Sequence, residues 1–129
     1  MIEFSVDGTP VPQGSMKVIN GHVLHSQGSA LAVWRSSIAL AARFAGAKPV
    51  NDAVGIKVTF RVRRPKTVKR DYPTVAPDLD KYVRSLLDAL TGITYADDSQ
   101  VIEIIAKKIY ADQAGADINC YQIVTKKVL

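Results

Sequence analysis

Residues 54–92 read VGIKVTFRVRRPKTVKRDYPTVAPDLDKYVRSLLDALTG, and within them the spacing of apolar residues changes once. Val54, Ile56, Val58, Phe60 and Val62 alternate with Gly55, Lys57, Thr59, Arg61 and Arg63, the period of a half-buried strand with a basic outer face. After a proline-punctuated stretch, Leu79, Val83, Leu86, Leu87 and Leu90 recur at helical spacing, a stripe suited to packing on a sheet, and Gly92 supplies a stop. A strand, a long loop from Arg64 to Pro77 and a helix opening at Pro77 therefore follow one another.

Working outward, Ile2, Phe4 and Val6 predict an opening strand that ends at Gly8-Thr9-Pro10. Two short runs, 16–19 and 22–25, flank Asn20-Gly21, the pair best suited to a tight hairpin turn. From Ser29 to Phe44, Leu31, Trp34, Ile38, Ala41 and Ala45 mark an amphipathic helix that Gly46 terminates. Val101 to Tyr110 and Ile118 to Val124 predict two more strands, joined by a turn containing Gly115. The expected fold class is α+β, a two-layer sandwich with two main helices on one mixed sheet, in a single domain over 1–129. No repeat, low-complexity tract or interdomain linker interrupts it.

Composition narrows the function classes. No apolar run approaches the ~18 residues that would span a bilayer. The first residues carry an acid at Glu3 rather than a basic region ahead of an apolar core, so the chain reads as cytoplasmic. Cys120 is the only cysteine, which excludes an intrachain disulfide and a cysteine zinc cage; its place in an apolar strand predicts buried packing. His22 and His25 lack further ligands nearby and read as surface residues, and Trp34 reads as core. A net charge of +5 favours an anionic partner.

The charge is unevenly distributed. Arg61, Arg63, Arg64, Lys66, Lys69 and Arg70 crowd the strand end and loop, with Asp71 as the one acid among them. Directly after come Asp78 and Asp80, and beyond the helix Asp97 and Asp98 in TYADDSQ. Taken alone, Asp78 predicts a helix N-cap whose carboxylate accepts a backbone N–H, and the helix dipole favours Asp80. Asp80, Arg84 and Asp88, four apart, form a polar row readable as a solvated ion-paired face. Asp97-Asp98-Ser99 suits any turn. Two acidic clusters beside a basic loop have a second reading: carboxylates that repel DNA become useful when they hold a divalent cation, which can activate water and stabilise charge on a phosphate.

At these residues the sequence resembles the RusA family of Holliday junction endodeoxyribonucleases. PDLDKYVRSLLDALTG and YADDSQV, within residues 77–101, carry the match, supported by GTPVPQGS ahead of the helix that contains Trp34. The resemblance implies a homodimer that binds four-way DNA junctions and cuts symmetrically related strands with Mg²⁺ or Mn²⁺. It implies metal-holding acids at Asp78, Asp80 and Asp98, and it puts Arg84 where the family carries a catalytic lysine. Arginine keeps the charge but cannot act as a general base near neutrality. On this reading Arg84 clamps the scissile phosphate, Arg61, Arg63, Arg64, Lys66, Lys69, Arg70 and Lys81 bind the DNA backbone, and Asp88, Asp97 and Glu103 are outer groups or surface acids. A second nuclease class, which pairs an aspartate with an acid, any residue and a lysine, is excluded because Glu103 is followed by Ile104, Ile105 and Ala106. Two alternatives stay open: a junction-binding module without catalysis, and a nuclease for other branched DNA.

Overall fold

The computed structural model describes residues 2–14, 16–19, 22–25 and 28–124, the two short stretches by their backbone alone. Among the described residues six strands and two α-helices occur in the order β1 (Ile2–Asp7), β2 (Met16–Ile19), β3 (His22–His25), α1 (Gly28–Phe44), β4 (Val54–Val62), α2 (Leu79–Leu90), β5 (Val101–Tyr110) and β6 (Gly115–Gln122). Four strands form one mixed sheet ordered β1-β6-β4-β5; β2 and β3 pair separately. The Asn20-Gly21 turn and the side chains of His22 and His25 lie outside the described residues.

β4 is the centre of the fold. It pairs antiparallel with β6 and parallel with β5, and α2 makes the crossover between the parallel strands. Its even-numbered residues Val54, Ile56, Val58 and Phe60 are buried under the helices, as the alternation predicts. Ala116, Ile118 and Cys120 of β6 share that face, and burial pushes the Cys120 thiol up to about 11. Trp34 and Ile38 of α1 complete the core, and Phe60 meets Tyr82 with ring centroids 5.2 Å apart. No helix among the described residues is long and apolar enough to cross a membrane.

Several local expectations change. The buried face of α2 is Tyr82, Ser85, Leu86, Ala89 and Leu90, with Leu79, Val83 and Leu87 only partly covered. Ser85 can be buried because its hydroxyl donates to the Tyr82 carbonyl at 2.9 Å. On α1 the stripe runs through Ala42 and leaves Ala45 exposed. Gly115 is the first residue of β6 rather than part of the turn, and a Cβ there would collide with the Val6 carbonyl and the Arg61 guanidinium.

The sheet face away from the helices carries polar cross-strand contacts. Ser5 donates to Asp117 at 2.8 Å, Asn119 to Glu3 at 3.1 Å and Tyr121 to Glu103 at 2.8 Å. Arg61 belongs to this network. Its guanidinium donates to Asp117 at 3.2 Å and to the Gln113 carbonyl at 2.8 Å, and lies 3.6 Å from Asp7. Arg61, expected in the DNA-binding set, thus faces two carboxylates across the sheet.

Candidate active site

α2 runs antiparallel to β4 and β5, which separates its two ends along the sheet. Its N-terminal end lies beside the ends of β4 and β5, where the Lys108 ammonium donates to the carbonyls of Val75 and Pro77 at 2.7 and 2.8 Å. Its C-terminal end lies beside their starts, where Val50 bridges to Tyr95 and Gln100 donates to the Val50 and Asp52 carbonyls.

Asp78 occupies the N-cap position of α2, with φ −68° and ψ 145°, yet its side chain makes no capping hydrogen bond. The sequence expectation of a side-chain cap is not met, and the exposed carboxylate has no partner among the described residues. The same is true of exposed Asp98, in a short 3₁₀ turn over Asp98–Gln100. Their neighbours are committed. Asp97 caps that turn: it accepts from Ser99 N–H at 3.0 Å while Gln100 reaches back to the Asp97 N–H at 2.8 Å, and the Ser99 bonds hold its carboxyl below the usual range. Asp88 accepts from the amide of buried Gln13.

Asp80 is exposed in the first turn of α2. Lys81 reaches it at 2.7 Å, although adjacent helical positions point apart, and that bond lowers the Asp80 pKa. Arg84, one turn further along and exposed, makes no ion pair among the described residues, so the expected Asp80–Arg84–Asp88 ladder is absent.

Several of the predicted basic residues cluster by Tyr110 at the end of β5, and Arg63 and Arg70 line a cleft with Pro77 and Tyr82. Arg70 donates to the Tyr110 hydroxyl at 3.0 Å, and Arg64 and Arg70 sit over the Tyr110 ring at 5.2 and 5.9 Å from its centroid. Arg63, Arg64 and Lys66 line an open groove with Tyr110 and Asp112. Lys69, in the same loop, is exposed.

Asp98 lies past the far end of α2, whose twelve residues span about 18 Å. Two oxygens on one Mg²⁺ lie within about 4 Å of each other. Within one chain, therefore, Asp78 and Asp80 stand together and Asp98 stands apart, and no group of three metal-ligating side chains forms among the described residues.

Three supporting residues escaped the sequence reading. Lys108 and Tyr110 fall at the same parity as Ile104 and Ala106, so the alternation in VIEIIAKKIY already turns them toward the helix side. Gln13, whose backbone N–H also bonds the Lys81 carbonyl at 3.0 Å, lies in a stretch without periodicity and gave no such signal.

Comparison with known proteins identifies the family. A model of the family "Endodeoxyribonuclease RusA" matches residues 7–121, which take in every residue discussed above as a candidate. A Bacillus subtilis (strain 168) protein described as "Uncharacterized protein YqaN" is 28% identical over 132 residues, covering 91% of this chain and 93% of the relative. With the match extending from the end of β1 to the last strand, the chain belongs to the RusA family of endodeoxyribonucleases, enzymes of branched DNA junctions.

Proposed function

We propose that the chain is a divalent-metal-dependent endonuclease that resolves four-way DNA junctions in recombination and repair, and that it works as a homodimer. The observation that carries this is the unused carboxylate of Asp78 at the head of α2. An aspartate at an N-cap normally accepts from the first turn, an arrangement typically worth ~1 kcal/mol. Asp78 holds that position without the bond, while Asp97 and Asp88 each accept one. A carboxylate kept clear of local partners suits an oxygen-ligated ion.

Asp78 and Asp80 would hold Mg²⁺, or Mn²⁺ in its place, and Asp98 would complete the set from the other copy of the chain, since its own Asp98 is a helix length away. A bound divalent ion supplies charge stabilisation at the phosphate and a water of lowered pKa. Arg84, unpaired one turn along from Asp80, contacts the scissile phosphate as a fixed positive charge; it takes no proton. Arg63, Arg64, Lys66, Lys69, Arg70 and Lys81 bind the arms through phosphates, giving salt-sensitive and sequence-tolerant affinity.

A synthetic four-way junction incubated in Mg²⁺ tests this. Wild type is expected to cut two symmetrically placed strands and to stop in EDTA, and Asp80→Asn is expected to bind without cutting. Cleavage by Asp80→Asn at the wild-type rate would overturn the assignment. Mixing Asp80→Asn chains with Asp98→Asn chains should restore nicking, because a mixed dimer has one site with both acids intact. The second reading, junction binding without catalysis, draws on arginine at position 84; it predicts tight metal-independent binding and no product. Flap, bubble and linear duplex in the same assay separate a junction resolvase from a nuclease of other branched DNA.

A further inference from the structure

We infer that the segment from Tyr72 to Val75 reads the branch point of the junction: the Tyr72 ring stacks on a base whose neighbour is lost where the arms part, and Val75 packs beside it. The inference deepens the proposed function and rests on it for the ligand, a nucleobase at a strand crossover; the exposure and the mount belong to the loop itself.

Tyrosine has an apolar ring and a polar tip, and a folded chain normally gives both a place. Four of the five tyrosines have one. Tyr82 and Tyr95 are buried, Tyr110 accepts from Arg70 at 3.0 Å, and Tyr121 donates to Glu103 at 2.8 Å. Tyr72 is 68% exposed and its hydroxyl has no partner among the described residues; Val75 is 47% exposed.

A single exposed aromatic is ordinary. This one stands on a fixed mount. Ahead of it, Arg70 is held to Tyr110 by that hydrogen bond and by its position over the ring. Pro73 is buried and lines the cleft it shares with Tyr82 and Tyr110, and the Thr74 N–H closes a turn on the Tyr72 carbonyl at 2.8 Å. Beyond, Lys108 holds the carbonyls of Val75 and Pro77. The main chain is thus pinned on both sides of Tyr72 while the large apolar side chains at 72 and 75 project. A ring with two torsions on a pinned backbone loses little entropy when a ligand covers it.

The surround identifies what covers it. Arg63, Arg64, Lys66, Lys69 and Arg70 are exposed in the stretch just ahead of Tyr72, with Asp71 the one acid among them. An apolar protein surface laid on Tyr72 would strip water from these cations and return nothing for them, whereas a DNA strand offers phosphates to the cations and a π-face to the ring. The six residues from Tyr72 to Asp78 reach at most about 20 Å when extended, so the ring falls within about six nucleotide steps of a phosphate at Asp78.

Stacking alone does not distinguish DNA forms, since every base has a π-face. The cost of reaching that face does. In a linear duplex both faces of each base are covered, and inserting a side chain must first unstack a step, which cancels what the ring returns. At a crossover the stack is already interrupted, so the gain is kept. Tyr72 therefore contributes preference for branched DNA, while the cations around it contribute affinity for any DNA.

In an Asp80→Asn background, which keeps the strands intact, Tyr72→Ala should weaken binding of the full chain to a synthetic four-way junction by about tenfold and leave its binding to linear duplex unchanged. Tyr72→Phe should bind the junction as the parent does, because the hydroxyl is idle, and Lys69→Ala should weaken both DNA forms alike. Circular dichroism should be unaltered in all three, both side chains being exposed already. Tyr72→Trp supplies a direct signal: Trp34 is buried, so quenching of the exposed indole by the junction and not by the duplex marks stacking. Junction binding undiminished by Tyr72→Ala, or lost equally for duplex, would overturn the inference. With Asp80 restored, a chain that needs Tyr72 for junction binding yet cuts nothing in Mg²⁺ would support the inference and refute the nuclease reading. Junction cleavage unaffected by Tyr72→Ala at every protein concentration would do the reverse.

Discussion

Replacing Lys108 with methionine removes the tie between β5 and the segment that delivers Asp78, and the structure sets the size of the effect. The ammonium makes two hydrogen bonds, to Val75 at 2.7 Å and Pro77 at 2.8 Å, from a side chain that is half-buried. A hydrogen bond involving a charged group contributes about 1.5 to 3 kcal/mol, and solvent access at this rim discounts each of the two below that range, to about 1 kcal/mol, so the pair together is worth about 2 kcal/mol. For a chain of 129 residues, with an unfolding entropy of about 2.1 cal/mol/K per residue, that is a fall in Tm of about 7 °C. Methionine keeps the aliphatic stem against the helix side, which isolates the loss of the ammonium. Calorimetry supplies the Tm, and junction cleavage at a temperature well below it supplies the second readout, expected to fall because the segment ahead of Asp78 is no longer fixed. A Tm within 1 °C of wild type, with cleavage intact, would refute the claim that Lys108 positions the acidic pair.

Asp97→Ala should lower Tm, because it removes a capping box, while sparing more cleavage than Asp78→Asn; Asp78→Asn should leave Tm nearly unchanged, because no cap is lost, and abolish product. Thermal melts beside gel assays separate the two. Gly115→Ala should destabilise by about 1 to 3 kcal/mol in urea titration, since the added methyl meets the Val6 main chain, which cannot swing aside. The bond from Lys81 depresses the Asp80 pKa, so its stabilising contribution is present above the ordinary value of 3.8 and is lost as pH falls through the depressed midpoint. Carboxyl NMR titration of Lys81→Met should move the Asp80 midpoint up, and an unmoved midpoint would contradict the contact.

The layers of this fold were legible because β4 and β6 alternate strictly and the helices carry continuous apolar stripes. The face of α2 was less so. A leucine stripe weights large residues, but the helix buries Ser85 and Ala89 while Val83 and Leu87 lie at its margin. Hydropathy cannot foresee a hydroxyl that satisfies itself on its own helix. Parity placed Arg61 on the outer face correctly, but its carboxylates come from β1 and the start of β6's face, far away in sequence, so its neutralisation was invisible. The acidic motif was legible as residues and not as a place. Spacing puts Asp78 and Asp98 on either side of a helix; only the direction of α2 along the sheet shows how far apart that leaves them.

That direction has a consequence for where a dimer would cut. If each cutting centre joins the head of one α2 to the tail of the other, the helix acts as a ruler between the two incisions. Its twelve residues set a gauge of about 18 Å, and inserting one four-residue turn would widen it by about 6 Å without touching a single acid. The spacing of the two nicks across a junction would then be written in the length of α2.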